Sequence, residues 1–141
     1  MTQHIFLTGK KHIGKSTLIQ KILDDYKKTA DGFLTVRTKD YLKNQYSVHM
    51  YHLKEKEFPN ESNLLFLCGK TDEHTADTFD RLGCNILSMC SDCSLIVMDE
   101  LGPHEADAAL FRKKILNLLD GQPPILGVLQ EPAESFWPKI V

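Results

Sequence analysis

The chain has 141 residues, the length of a single domain. Hydrophobic residues make up 42% of it and charged residues 26%, a composition typical of globular proteins. This excludes a disordered tail, a collagen-like fibre and a disulfide-packed toxin. Lys and Arg number 17 against 19 Asp and Glu, for a formal net charge of −2. The chain therefore lacks the basic excess of a general nucleic-acid binder or a polybasic membrane protein, and we expect neither partner.

No apolar run is long enough to span a bilayer, which takes about 20 residues. The first apolar run is interrupted by Gly9, Lys10 and Lys11, which does not fit a secretory signal peptide. We therefore expect a cytoplasmic protein.

The first part of the chain predicts one strand, one helix and a hairpin. Residues 4–7 form a short apolar strand, and a loop rich in Gly and Lys leads into a helix expected over residues 16–28. Asp31 and Gly32 are typical of a turn. Two strands, predicted to form an antiparallel hairpin after the first helix, follow at residues 33–37 and 46–53.

The remaining sequence alternates strands and helices. Strands are predicted at residues 63–68, 93–98 and 125–129, and helices at residues 75–88 and 107–119. Residues 93–98 are a continuous apolar run, typical of a strand that is buried on both faces of a parallel sheet.

The alternation of strands and helices predicts an α/β fold with a mainly parallel sheet and helices on both faces. No linker or repeat divides the sequence, so residues 1–141 are predicted to form one domain. Trp137, near the end, is expected in the core.

Four cysteines lie in the central third of the chain, at Cys68, Cys84, Cys90 and Cys93. Cys90 and Cys93 have the CxxC spacing of a redox motif or of half a zinc site, but no second spaced pair occurs. Buried free thiols in a reducing compartment are the favoured interpretation.

Residues 9–17 read GKKHIGKST, a full match to the phosphate-loop pattern GxxxxGK[ST]. A predicted strand precedes the match and a predicted helix follows it, as in a nucleotide-binding P-loop. The glycines allow close approach of the backbone, and successive N–H groups form an anion nest at the helix N-terminus. The candidate phosphate-binding residues are Gly9, Lys10, Lys11, His12, Ile13, Gly14, Lys15, Ser16 and Thr17.

Within this group we assign two roles. The Lys15 ammonium is expected at the β- and γ-phosphates, and the Ser16 hydroxyl at Mg²⁺. A magnesium-dependent P-loop also needs a carboxylate at the end of a buried strand, and Asp99 and Glu100 follow the apolar run 93–98. Asp99 is the predicted second metal residue, and Glu100 the predicted base that activates water.

Three segments together resemble the small P-loop nucleoside-triphosphatase family of the thermophilic and cancer-related type. They are the P-loop, the GFxT step at residues 32–35, and residues 99–105, which match the family pattern DE[IL]GxxE. The resemblance implies a RecA-like P-loop fold and hydrolysis of ATP, GTP and other nucleoside triphosphates with loose base preference. Family chains usually continue through another strand and helix, so the resemblance leaves open that such a segment is lacking here.

The sequence leaves open which arginine assists catalysis, and it leaves two alternatives to the hydrolase as a second and a third interpretation. The chain has only Arg37, Arg81 and Arg112 to supply an arginine to the γ-phosphate. A P-loop kinase is a second interpretation, although residues 103–141 hold one arginine and three lysines, few for an acceptor lid. A nucleotide-gated regulatory module is a third, although the NKxD guanine motif does not occur in the sequence.

Overall fold

A computed structural model describes residues 3–9, 15–90 and 92–140, apart from the side chains of Ser16 and Ala133. The strands are β1 (Ile5–Leu7), β2 (Ala30–Leu42), β3 (Gln45–His52), β4 (Leu64–Leu67), β5 (Leu95–Leu101) and β6 (Ile125–Leu129). The α-helices are α1 (Lys15–Asp25), α2 (Thr75–Leu87), α3 (Pro103–Asp107), α4 (Ala109–Leu119) and α5 (Ala133–Phe136). A short 3₁₀ turn, Glu61–Asn63, precedes β4.

The strands form one sheet in the order β1-β6-β5-β2-β3-β4. The pairs β1–β6, β6–β5 and β5–β2 are parallel, whereas β2–β3 and β3–β4 are antiparallel. The mainly parallel sheet and the hairpin after the first helix are thus confirmed. The four parallel strands end at a common carboxyl edge, where ligands bind in α/β proteins.

Apolar side chains cover both faces of the sheet. On one face, Ile19 of α1 packs with Val97 and Leu126. On the other face, a larger core joins the sheet to α2 and α4, and includes Phe79 and Phe111. Burial of each large apolar side chain contributes about 1.5–3 kcal/mol, so both layers stabilise the sheet. Helices on both faces are confirmed.

Asp31 and Gly32 do not form the predicted turn, because both lie inside β2 and pair with β5. Gly32 has φ +132°, and a Cβ atom there would lie 2.0 Å from the carbonyl oxygen of Val97. The glycine therefore permits close approach of two strands. Its local sequence resembles a turn because both situations favour glycine.

The predicted helix over residues 107–119 is interrupted. Residues 103–107 form α3, Ala108 is extended with φ −83° and ψ 99°, and α4 begins after it. A carboxylate from α2 stabilises the new start, since Asp80 accepts the Phe111 N–H at 2.8 Å. The first helix also ends three residues early, at Asp25 rather than residue 28.

Trp137 lies in the core, as predicted, and is 1% exposed. Its indole Nε1 donates a hydrogen bond of 3.0 Å to the carbonyl of Gly102, which directly precedes α3. The C-terminal segment thereby holds the start of α3 in place. In the part of the chain that the structure describes, every helix is too short or too polar to cross a membrane.

Candidate active site

A cleft of about 830 Å³ opens at the carboxyl edge of the parallel strands. Its volume falls within the range of small-molecule sites, about 300–1,000 Å³. Its lining includes Lys15, Thr17, Thr35, Arg37, Glu100 and His104. The fold therefore brings the predicted lysine and the predicted base, which are far apart in sequence, to one cavity.

The two ends of the predicted P-loop meet beside the cleft. Gly9 follows β1 with φ +143°, a conformation that favours glycine. Lys15 begins α1, and its Nζ donates a hydrogen bond of 2.6 Å to the carbonyl of Gly9. Thr17, two residues on, also lines the cleft. The Lys15 side chain therefore connects the two ends of the loop, Gly9 and Lys15.

Lys10, Lys11, His12, Ile13 and Gly14 lie outside the described residues. The side chain of the predicted metal residue Ser16 lies outside them as well.

Asp99 and Glu100 lie within β5, which continues to Leu101, and not after a strand that ends at residue 98. Asp99 is 3% exposed, and Glu100 is half-buried and lines the cleft. The strand is longer than its apolar run because Asp99 pairs with both Leu34 of β2 and Val128 of β6. Sheet pairing on both sides fixes the backbone of Asp99, and Glu100 lies at the register shift that follows it.

The hydroxyl of Thr35 fixes the peptide group between these two acidic residues. Its Oγ1 donates to the carbonyl oxygen of Asp99 at 2.5 Å and accepts the N–H of Glu100 at 2.9 Å. One hydroxyl can make both bonds, since it carries one proton and two lone pairs. In the sequence, Thr35 was only part of the family pattern and had no assigned role. In the structure, its side chain links β2 to the peptide group that joins Asp99 and Glu100.

The donor chemistry at this edge fits a magnesium ion. The buried Asp99 carboxylate supplies hard oxygen ligands of the kind that Mg²⁺ prefers. Within the described ranges, no three His, Cys, Asp or Glu side chains converge on a metal position. In phosphoryl-transfer sites Mg²⁺ is generally held by one or two carboxylates together with waters and substrate phosphates.

Two neighbouring side chains of α3 have shifted pKa values. Burial raises the pKa of Glu105 to about 8, and the negative charge of Glu100 adds to this. The N–H of Gly102 donates to Glu105 Oε2 over 3.4 Å and opposes the shift. Burial lowers the pKa of His104, whose ring contacts Phe66 and Phe79 with centroid distances of 4.7 and 5.7 Å. At neutral pH the cleft wall therefore presents a protonated carboxyl and a neutral imidazole.

Of the three arginines, Arg37 lines the cleft. Its guanidinium lies 3.8 Å from the centroid of the Tyr46 ring. Arg112 instead lies over Trp137 at 5.6 Å and borders a separate surface cavity, and Arg81 is exposed on α2. Sequence patterns could not select among the three arginines, because the selection depends on which of their elements borders the cleft in the fold.

The four cysteines are free thiols. Burial raises the pKa of Cys90 to about 12 and also raises that of Cys93. A raised pKa disfavours the thiolate that redox chemistry and zinc binding need. This supports the interpretation of the CxxC pair as buried thiols.

Comparison with known proteins gives a family, and solved structures that share the fold. A family model described as NTPase matches residues 4–140. The nucleoside-triphosphatase THEP1 of Methanosarcina acetivorans is 34% identical over 53 residues, which is 38% of this chain. That match spans only 30% of the curated relative.

Two solved structures share the fold. The crystal structure of THEP1 from the hyperthermophile Aquifex aeolicus matches with a TM-score of 0.64 and 20% identity, over 93% of this chain and 78% of that one. The solution structure of a human cancer-related nucleoside triphosphatase matches with a TM-score of 0.59 and 23% identity, over 93% and 77% of the two chains. At these identities the likeness shows the fold, and the predicted P-loop α/β architecture is confirmed.

Proposed function

Since the chain belongs to the NTPase family, we propose that it hydrolyses nucleoside triphosphates to diphosphate and phosphate with the help of Mg²⁺. The observation that carries the proposal is the convergence of Lys15 and Glu100 on one cleft. P-loop hydrolysis requires a phosphate-binding loop and a nearby acidic residue. The loop before α1 and the acidic end of β5 would supply these two parts. The curated relative is named for the same activity.

Lys15 and the loop amides bind the triphosphate in this proposal. The Lys15 ammonium, now hydrogen-bonded to Gly9, would move to the β- and γ-phosphates, which are stronger acceptors because they are charged. Residues 10–14 would supply backbone N–H groups to the same oxygens. Positive groups held at fixed positions around the phosphates would lower the activation barrier of hydrolysis, because phosphoryl transfer depends mainly on positioning and charge stabilisation.

Asp99 and Ser16 would hold Mg²⁺, directly or through a metal-bound water. The ion, when bound, would neutralise negative charge on the phosphates. Burial of Asp99 and its pairing with strands on both sides restrict the motion of its carboxylate. A rigid ligand suits Mg²⁺, which requires near-ideal octahedral geometry.

Glu100 would accept the proton of the attacking water. The new bond forms between the water oxygen and the γ-phosphorus, and the bond from that phosphorus to the bridging oxygen of the diphosphate breaks. Thr35 supports this step, because its hydroxyl fixes the N–H of Glu100. A base held in one orientation contributes about 10²–10⁴-fold to such a reaction.

We propose ATP, GTP and the other common nucleoside triphosphates as substrates, and a cytoplasmic setting, in line with the sequence expectations. The direct test is phosphate release from ATP, GTP, CTP and UTP, each with excess Mg²⁺ and with EDTA. The proposal predicts release from several nucleotides that stops when the metal is chelated. Binding of every triphosphate without release from any would contradict it.

A further inference from the structure

The cleft continues past Glu100 across the β2–β3–β4 hairpins. Arg37, Val48 and Phe66 all line it, and they lie side by side on three adjacent strands. Arg37 pairs with Val48 and Val48 with Phe66, so the row spans two strand spacings, about 10 Å. We call this row, with Phe79 and His104 above it, the hairpin recess.

One end of the hairpin recess is formed by packed aromatic rings. The His104 ring lies at 4.7 Å from Phe66, and it is stacked on Phe79 at 5.7 Å with an interplanar angle of 11°. Aromatic groups pack at centroid distances of about 4.5–7 Å, so the spacing is that of favourable ring contacts. The end of the recess is apolar and aromatic, which suits a neutral ring.

At the other end of the hairpin recess Arg37 lines the cleft, and the exposed Lys39 lies beside it on the same strand. The Arg37 guanidinium and the Lys39 ammonium lie 3.8 and 4.6 Å from the same ring centroid of Tyr46. Among the described residues, neither cation forms an ion pair with a carboxylate. Two like charges held on one ring repel each other, and an anion bound between them would relieve that repulsion.

The order of strands places the recess on the far side of Glu100 from the phosphate loop. The loop follows β1, Glu100 lies in β5, and the recess lies over β2, β3 and β4, which come after β5 in the sheet. In-line attack requires the nucleophile on the side of the γ-phosphate opposite the diphosphate. With Glu100 as the base, the diphosphate of the substrate therefore lies on the side of the γ-phosphate away from the recess.

Hydrolysis alone does not require this recess. The triphosphate at Lys15 and the attacking water at Glu100 lie in other parts of the cleft, and neither contacts the recess in this account. An aromatic wall and a lining arginine beyond the base are features of a ligand site and not of a water site.

We propose that the hairpin recess binds a second ligand, a planar ring that carries a phosphate or carboxylate. Its anion lies at Arg37 and Lys39, and its ring lies against Phe66 and His104. A nucleoside monophosphate has this chemistry and serves as the probe. The proposal rests on the proposed function for its orientation, and it predicts that the ligand binds together with the nucleotide in the phosphate loop.

The test is calorimetric titration of AMP, GMP, CMP and UMP into protein saturated with Mg²⁺ and ADP. At least one monophosphate should bind the ADP-loaded protein, and adenosine or inorganic phosphate alone should bind at least tenfold more weakly. Arg37→Gln should weaken monophosphate binding at least tenfold. Arg112→Gln, which removes an arginine outside the cleft, should leave it unchanged. Phe66→Leu should weaken it too, with circular dichroism as the check on folding.

Three outcomes would overturn the proposal. They are no binding to the ADP-loaded protein, equal binding by Arg37→Gln, and binding that ADP displaces, which would assign the recess to the nucleoside of the substrate. Phosphate release from ATP, measured on the same wild-type protein, separates the two proposals. If release fails and monophosphate binding persists, the proposed function is wrong and the second site stands.

Discussion

Thr35 joins two parts of the candidate site through a single hydroxyl. It contacts the carbonyl of Asp99 and the N–H of Glu100, so it acts on the predicted base through the backbone and touches no substrate in this account. Hydrogen bonds of this kind contribute about 0.5–1.5 kcal/mol each. Two such bonds are enough to change a rate about tenfold, since each tenfold step corresponds to about 1.4 kcal/mol.

Thr35→Val is expected to lower kcat about tenfold or more while the affinity for ATP changes less than threefold. The valine has the shape of threonine without the hydroxyl, so it removes the two contacts and leaves the phosphate loop unchanged. Single-turnover hydrolysis and equilibrium ATP binding measure the two effects separately. Thr35→Ser keeps the hydroxyl and should restore most of the rate. Equal loss of rate in both variants would refute a positioning role.

Glu105 predicts a pH dependence of stability. Its pKa is raised from an ordinary value of 4.5 to about 8 in the fold, so between these values the folded state binds one proton more than the unfolded state. Stability then falls as pH rises from about 4.5 to about 8 and levels off above. Shifts of this kind amount to about 1.4 kcal/mol for each pKa unit, an upper bound for a group this buried.

Glu105→Gln removes this titration, because an amide has no proton to lose. Its stability relative to wild type should therefore increase by on the order of a few kcal/mol between pH 5 and pH 8. Urea unfolding at pH 5, 6.5 and 8 measures the difference. Glu57→Gln, at an exposed glutamate, is the matched control and should show no such trend. A constant difference between wild type and Glu105→Gln at all three pH values would contradict the account.

At the scale of elements, the contact between β2 and β5 determines where the acidic pair lies. Gly32 allows this contact, since a Cβ atom there would meet the backbone of Val97 at 2.0 Å. Three residues on, the same strand presents Thr35 to β5. A change at Gly32 therefore acts on both the fold and the site.

Gly32→Ala is expected to destabilise the protein by about 3 kcal/mol, from overpacking together with backbone strain at positive φ. The control is Gly69→Ala, where φ is +81° and a Cβ atom would meet nothing within 4 Å. It carries the strain without the clash and should cost about 1–2 kcal/mol. Chemical denaturation of both variants measures the two values. Equal values would show that the contact with β5 tolerates a methyl group.

Local patterns were sufficient where the structure depends on neighbours in sequence. The spacing of Gly9 and Lys15 brings them together at one loop, and the apolar run before Asp99 predicts a buried strand with an acidic end. Both features were predicted from the sequence because turns, caps and buried strands have local signatures.

Non-local contacts explain what the sequence could not predict. The helical pattern is interrupted at Ala108, and the first turn of α4 donates the Phe111 N–H to the Asp80 carboxylate of α2. Asp80 lies 31 residues before Phe111 in the sequence, so a local pattern does not reveal this contact. Val48 and Phe66 become neighbours only through the register of β3 and β4. His104 could have faced solvent or the site, and only its packing on two phenylalanines settles that it lines the cleft.

At the scale of the whole molecule, one cleft extends from the start of α1 to the hairpin of β3 and β4. Lys15 lies toward one end and Phe66 toward the other, with Glu100 between them in the order of strands. The central claim is that Glu100 takes the proton of the attacking water at this middle position.

The most direct test compares ATP hydrolysis and ATP binding in Glu100→Gln and in wild type, with Mg²⁺ present. The account predicts that Glu100→Gln releases phosphate at least 100-fold more slowly and binds ATP within threefold of wild type, because glutamine keeps the shape and loses the base. Lys15→Ala should instead lose ATP affinity, and its control, Lys21→Ala on the exposed side of α1, should match wild type. Phosphate release by Glu100→Gln at the wild-type rate would contradict the account.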